Sequence, residues 1–182
     1  MKIQSTLFFF LSSLFFACQS PAATKVELEN QQIKVRIATN APQAIGAFYE
    51  GRGFQKNMID LLKQQCFVSV FIKNKSNDFI WLDLSQWQFS NADGKISRLD
   101  RHYWKAKWQE MDIPLAHQST FRWTLLPEEL DFHPNEKEGG NLLLPRLGKP
   151  FNFSARFYTG KDKKGTPIIL KFNELTCATD KQ

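Results

Sequence analysis

Cys66-Phe67-Val68-Ser69-Val70-Phe71-Ile72-Lys73-Asn74-Lys75-Ser76-Asn77-Asp78-Phe79-Ile80-Trp81-Leu82-Asp83-Leu84 is the stretch that decides the fold. Residues 66–72 are apolar almost without interruption and rich in β-branched and aromatic side chains, which suits a pleated, buried strand. The cluster from Asn74 to Asp78 offers side chains that bond their own backbone, and so turns the chain. Phe79 to Leu84 then resumes the strand pattern, Trp87 and Phe89 follow at alternate positions, and Asp93-Gly94 marks the next turn.

The same period of two recurs on both sides. Val26 and Leu28, then Ile33, Val35 and Ile37, alternate with polar residues around Asn30-Gln31-Gln32, predicting an opening hairpin. Phe121, Trp123 and Leu125 alternate with Thr120, Arg122 and Thr124, predicting a half-buried strand. Leu142–Leu144, Phe151–Phe157 and Ile168–Phe172 complete the set, with a polar loop from Gly160 to Gly165. About eight or nine short strands with polar turns indicate a mainly β chain, a sandwich or barrel.

Two segments break the rhythm. In the first, about 41–65, Asn40 can cap, Pro42 suits a first turn, and Phe54, Met58, Leu61 and Leu62 fall at helical spacing; Gly51 and Gly53 divide it into two short helices. In the second, about 98–111, Trp104, Trp108 and Met111 share a helical face beside Arg101, Lys105 and Lys107. Special function concentrates in such insertions.

At the N-terminus, Lys2 is followed by an uncharged, Phe-rich run from Ile3 to Phe16 and then Ala17-Cys18. A run of about fourteen residues is too short to span roughly 30 Å of hydrocarbon and predicts a signal peptide, residues 1–17. Phe15-Phe16-Ala17-Cys18 resembles the lipobox of bacterial lipoproteins, which implies an acylated Cys18 as the new N-terminus, although the phenylalanines depart from the pattern. Cleavage after residue 22 or 23 is the alternative, giving a soluble periplasmic form. Gln19 in place of an aspartate implies sorting to the outer membrane of a Gram-negative cell. The expected organisation is a tether over 18–24 and a single β-sandwich domain over 25–182.

After Cys18, only Cys66 and Cys177 remain. An even pair in an oxidising compartment is most simply a disulfide; it would close a loop of about 110 residues and contribute on the order of 4–5 kcal/mol in the chain-entropy model. The full chain carries a net charge of +6, and loss of Lys2 leaves about +5, a mild bias toward anionic envelope partners. Nucleic acid is excluded as a partner on grounds of compartment.

The order of the β run, Asn74-Lys75-Ser76-Asn77-Asp78, then Trp87-Gln88-Phe89-Ser90-Asn91-Ala92-Asp93-Gly94-Lys95, and later Phe151-Asn152-Phe153-Ser154-Ala155-Arg156-Phe157, is similar to the telokin-like, immunoglobulin-type domains of unknown function found in bacterial lipoproteins. The resemblance covers residues 66–173. It implies an immunoglobulin-like antiparallel β-sandwich with a binding or structural role and no catalytic residues.

The residues themselves offer little chemistry. His102, His117 and His133 are isolated, so no pair is spaced to share a metal. Glu128 to Glu138 lacks the loop grammar of a calcium site and is expected to be a solvated acidic loop. Gly139-Gly140-Asn141 is expected to turn the chain before a strand. No catalytic set, metal or cofactor is expected. The candidate binding surface is Arg98, Arg101, Tyr103, Trp104, Lys105, Lys107 and Trp108, where indole faces stand beside cations that suit anionic groups; the alternative is that the tryptophans only cover one end of the sandwich. The expected function is non-enzymatic: a binding or assembly factor, anchored through its N-terminal lipid at the inner face of the outer membrane, whose partner is an envelope protein or an anionic glycan. The alternatives are a soluble periplasmic ligand carrier and an envelope hydrolase acting on cell-wall or lipid substrates.

Overall fold

The opening hairpin forms as its alternation dictates: β1 (Lys25–Glu29) pairs antiparallel with β2 (Ile33–Asn40). Asn30 closes it, its Oδ1 accepting the N–H groups of Gln32 and Ile33 at 2.8 and 2.9 Å. The structure is a computed structural model that describes residues 24–180. The signal segment, its cleavage site and Cys18 lie outside those residues.

β2 continues into the first sheet, β1-β2-β3-β8, in which β3 (Cys66–Asn74) is flanked by β2 and β8 (Lys137–Leu144). The second sheet is built on β9 (Phe151–Thr159), whose residues pair along one edge with β10 (Ile168–Leu175). Its other edge is shared by β4 (Ile80–Asp83) and β5 (Gln88–Asn91), which β7 (Glu129–Phe132) and β6 (Gly94–Ile96) extend outward. Between the pairs Leu82↔Phe157 and Gln88↔Ser154, six steps of chain face three. The 3-10 turn Leu84–Gln86 takes up the excess, and Asp83 caps it by accepting from Ser85 N at 2.9 Å.

Both sheets bury one face in a common core. Ile33, Val35, Val68 and Val70 from the first sheet meet Leu82, Phe89, Phe153 and Phe157 from the second. The fold is thus mainly β, two antiparallel sheets around one apolar interior. Cys66 and Cys177 are bonded, with Cα atoms 5.3 Å apart, so the start of β3 is tied to the chain just beyond β10. Asn74 is a fully buried polar residue of this core, and the two protons of its amide nitrogen are shared among the carbonyls of Asp78, Phe132 and His133 at 2.7, 3.1 and 3.1 Å.

A second apolar cluster lies on the opposite face of the first sheet. Phe67 and Leu143, one residue out of phase with Val68 and Leu142, point away from the sheet core and receive the helices. α1 (Pro42–Glu50) and α2 (Lys56–Lys63) bring Tyr49, Met58 and Leu62, while α3 (Arg101–Glu110) and α4 (Leu115–Trp123) bring Trp104, Trp108 and Phe121. The two insertions are therefore one layer. A polar chain stitches that layer to the sheet. Asn40 Nδ2 donates to Ser69 Oγ at 2.7 Å, Ser69 Oγ to Asn141 Oδ1 at 2.7 Å, and Asn141 Nδ2 to the Thr124 carbonyl at 3.0 Å. Thr124 Oγ1 gives its one proton to the Phe121 carbonyl, so the Tyr49 hydroxyl donates to Thr124 Oγ1 at 2.7 Å. Burial pushes the Tyr49 hydroxyl pKa up, which keeps that proton in place.

Several expectations are corrected. Phe121, Trp123 and Leu125 do not form a strand: Leu115–Trp123 is helical, Phe121 is buried and Trp123 is 80% exposed. Their alternation is a coincidence across the end of the helix: Phe121 and Trp123 close α4, Thr124 follows it, and Leu125 bridges to Asn141. Residues 128–138 are not one acidic loop, because Glu129–Phe132 is β7 and β8 begins at Lys137. Gly139 and Gly140 lie inside β8. A Cβ on Gly140 would stand 2.6 Å from Leu126 Cα, so the glycine admits the chain leaving α4 instead of making a turn. Asn40 does not cap α1. Ala41 occupies that position, and Asp180 Oδ1 accepts the Gln43 N–H at 2.6 Å.

Candidate functional site

α3 begins where Asp100 caps it, accepting the Tyr103 N–H at 2.9 Å, and ends in a Schellman turn. There Ile113 N bonds the Trp108 carbonyl at 2.9 Å and Asp112 N bonds the Gln109 carbonyl at 3.1 Å. Asp112 takes the left-handed conformation, φ 53°, that this turn needs. The chain reverses there and Pro114 leads into α4. Trp104 and Trp108, one turn apart on α3, stack at 4.9 Å, and Phe121 of α4 stands edge-on to both at 5.1 and 5.2 Å.

Over this aromatic floor the two helices leave a cleft of about 590 Å³, within the range of small-molecule sites. Arg101 and Lys105 of α3 and Leu115, Ser119 and Arg122 of α4 form its walls, with Glu128 at one end. Glu128 is already engaged: Arg98 holds it by a forked pair at 2.6 and 3.4 Å. Among the described residues, Arg101, Lys105 and Arg122 pair with no carboxylate, a state they share with other cations such as Lys63, Arg146 and Arg156, but in the cleft three of them gather. The cleft therefore joins an apolar floor to cationic walls of uncompensated charge.

Of the seven residues singled out in the sequence, Arg101, Trp104, Lys105 and Trp108 line the cleft. Arg98 acts through Glu128, while Lys107 turns to Glu110 at 3.0 Å and Tyr103 stands edge-on to Trp104 at 5.2 Å, partly exposed. Reading α4 as a strand hid its wall of the site. No apolar spacing within 115–123 announces it, because Phe121 is the one buried residue of that helix. His102 reaches the rim, His117 stacks on Phe54 at 5.3 Å, and His133 lies elsewhere, against Phe79. Among the described residues, no three His, Cys, Asp or Glu side chains gather to hold a metal ion.

No family model matches the chain, and no curated protein matches it. Among solved structures, the crystal structure of a candidate lipoprotein, ycdA of Bacillus subtilis subsp. subtilis str. 168, is similar over 83% of this chain and 39% of its own. The TM-score is 0.40 and the identity 15%, and this chain spans about two fifths of that protein's length.

Proposed function

We propose that this protein is exported and works without catalysis, as a binding or assembly factor held at the inner face of the outer membrane by an acylated Cys18. Its two antiparallel sheets serve as an immunoglobulin-like sandwich, and the helical layer carries the binding site. The observation that carries the reading is the α3–α4 cleft, where three unpaired cations face a stacked tryptophan pair. That combination suits recognition of an anion with an apolar body. It does not suit acid–base or nucleophilic chemistry, because no carboxylate pair or activated nucleophile converges on the cleft. The apolar run with Ala17-Cys18 and the Cys66–Cys177 disulfide support an address outside the cytoplasm.

Chemically the same cleft serves a soluble periplasmic carrier, and the N-terminus separates the two. Intact mass spectrometry of protein from its native envelope is expected to show a chain that begins at acylated Cys18 and gains two protons on reduction. A chain beginning at Ala23 or Thr24 without acyl mass would replace the anchored factor with the soluble carrier.

A further inference from the structure

Leu115 and Trp123 are the most exposed large apolar side chains among the described residues, each at 80%, and both stand on α4. Tryptophan is seldom left so bare in water, and its amphipathic ring is favoured where hydrocarbon meets headgroups. Seven and four residues beyond Leu115, at nearly the same angle around the helix, stand Arg122 and Ser119, which share the cleft wall with it. Across the cleft, Arg101 and Lys105 present a second pair of cations one turn apart on α3. Apolar side chains that reach outward, cations immediately behind them and an aromatic-floored cavity between describe a surface that is itself amphipathic.

The chain's path adds an independent constraint. The Thr39 N–H donates to the Thr24 carbonyl, Thr39 pairs with Val68, Val68 pairs with Leu142, and Leu99 just before α3 donates to Leu143. Thr24 thus lies in the same row of the sheet as the root of α3, about four strand spacings or roughly 19 Å across. From Cys18 to Thr24 the chain can reach at most about 20 Å when extended. An acyl chain on Cys18 would hold this end of the molecule, and the cleft with it, close to a bilayer.

We infer that the α3–α4 face docks on an anionic phospholipid bilayer, with a lipid phosphate among Arg101, Lys105 and Arg122 and with Leu115 and Trp123 entering the interface. The inference rests on the cleft being the binding site proposed above and names its partner. Three cations facing an anionic surface strengthen attachment by about 100-fold over neutral lipid. Leu115, standing over the buried Trp104, Trp108 and Phe121, offers apolar surface to the upper part of one acyl chain.

The test uses the protein as isolated from its envelope, mixed with vesicles of brominated phosphatidylcholine with or without phosphatidylglycerol. Trp123 is read as the tryptophan emission lost in Trp123→Phe. Its quenching is expected to be strong in phosphatidylglycerol vesicles and to weaken in neutral vesicles and in the combined Arg101→Gln, Lys105→Gln, Arg122→Gln variant, where the acyl anchor alone keeps the protein on the vesicle; the variant's melting temperature checks its folding. Quenching absent in every vesicle, or equal in neutral and anionic ones, would overturn the inference. Emission that instead responds to soluble decanoate without vesicle quenching would also overturn it, in favour of a free amphipathic anion. Weaker retention of the triple variant than of the unsubstituted protein on native envelopes would keep the binding role standing even if the lipid dock fails.

Discussion

The two faces of the β1-β2-β3-β8 sheet carry cores of opposite character. On one face, polar groups that enter the interior find partners: Trp87 Nε1 donates to the Arg156 carbonyl at 3.2 Å, and Asn74 spans three carbonyls. On the other, Trp104 Nε1, Trp108 Nε1, Arg101 Nε and His117 Nδ1 are buried with no partner, four of the five such side-chain atoms among the described residues. Satisfied groups fix a single arrangement, whereas each orphaned donor costs about 1–3 kcal/mol. The sheet core is therefore built for stability, and the helical layer gives up part of its own at the place where the cleft lies.

The largest expected effect comes from cutting the link inside the stable core. Cys66→Ala with Cys177→Ala is expected to lower unfolding free energy by about 4–5 kcal/mol in urea titration, since the 111-residue separation makes the released loop long. A loss below about 1 kcal/mol would mean that packing of Phe153, Phe157 and Phe172 alone fixes the two sheets. The matched pair Trp87→Phe and Trp108→Phe sharpens the contrast. Both remove similar volume, but the first strands the Arg156 carbonyl and the second removes an unpaired donor. Trp87→Phe is expected to cost about 1 kcal/mol more, and equal costs would erase the difference between the cores. The smallest effect belongs to the cations. Replacing Lys105 and Arg122 by Gln is expected to move stability by less than about 0.5 kcal/mol each, as read by thermal melting, and Arg101→Gln, which removes an orphaned donor, is expected to leave stability unchanged or raise it by about 1 kcal/mol. A loss at Arg101 would make its 3.5 Å bond to the Leu125 carbonyl structural.

These two cores were also unequally legible in the sequence. Strands β2 and β9 alternate strictly along their length, as the burial of Phe151, Phe153, Ala155 and Phe157 on one face shows, and β3 is a near-continuous apolar run buried at Cys66, Phe67 and Val68 alike, so hydrophobic pattern alone locates all three. The Cys66–Cys177 bond followed from cysteine parity. The helical layer was half legible: α1, α2 and α3 carry proline, glycine and aromatic spacing that mark them. α4 does not, because Phe121, Trp123 and Leu125 mimic a strand over five residues and only tertiary packing on Tyr49 and Trp108 selects the helix. Gly140 misleads for a related reason. Its lack of a Cβ answers to Leu126, a contact fixed by the return of the chain from α4, which local sequence does not display.

Amide hydrogen exchange, with and without phosphatidylglycerol vesicles, tests most directly whether the helical layer is the adaptable, ligand-facing half of the molecule. Amides of α3 and α4, such as those of Trp108 and Phe121, are expected to exchange through openings of lower free energy than those of Val70 in β3 and Phe157 in β9, and to slow when vesicles are added. Equal protection of both regions in the free protein, unchanged by vesicles, would contradict the division of labour between the two faces of the sheet.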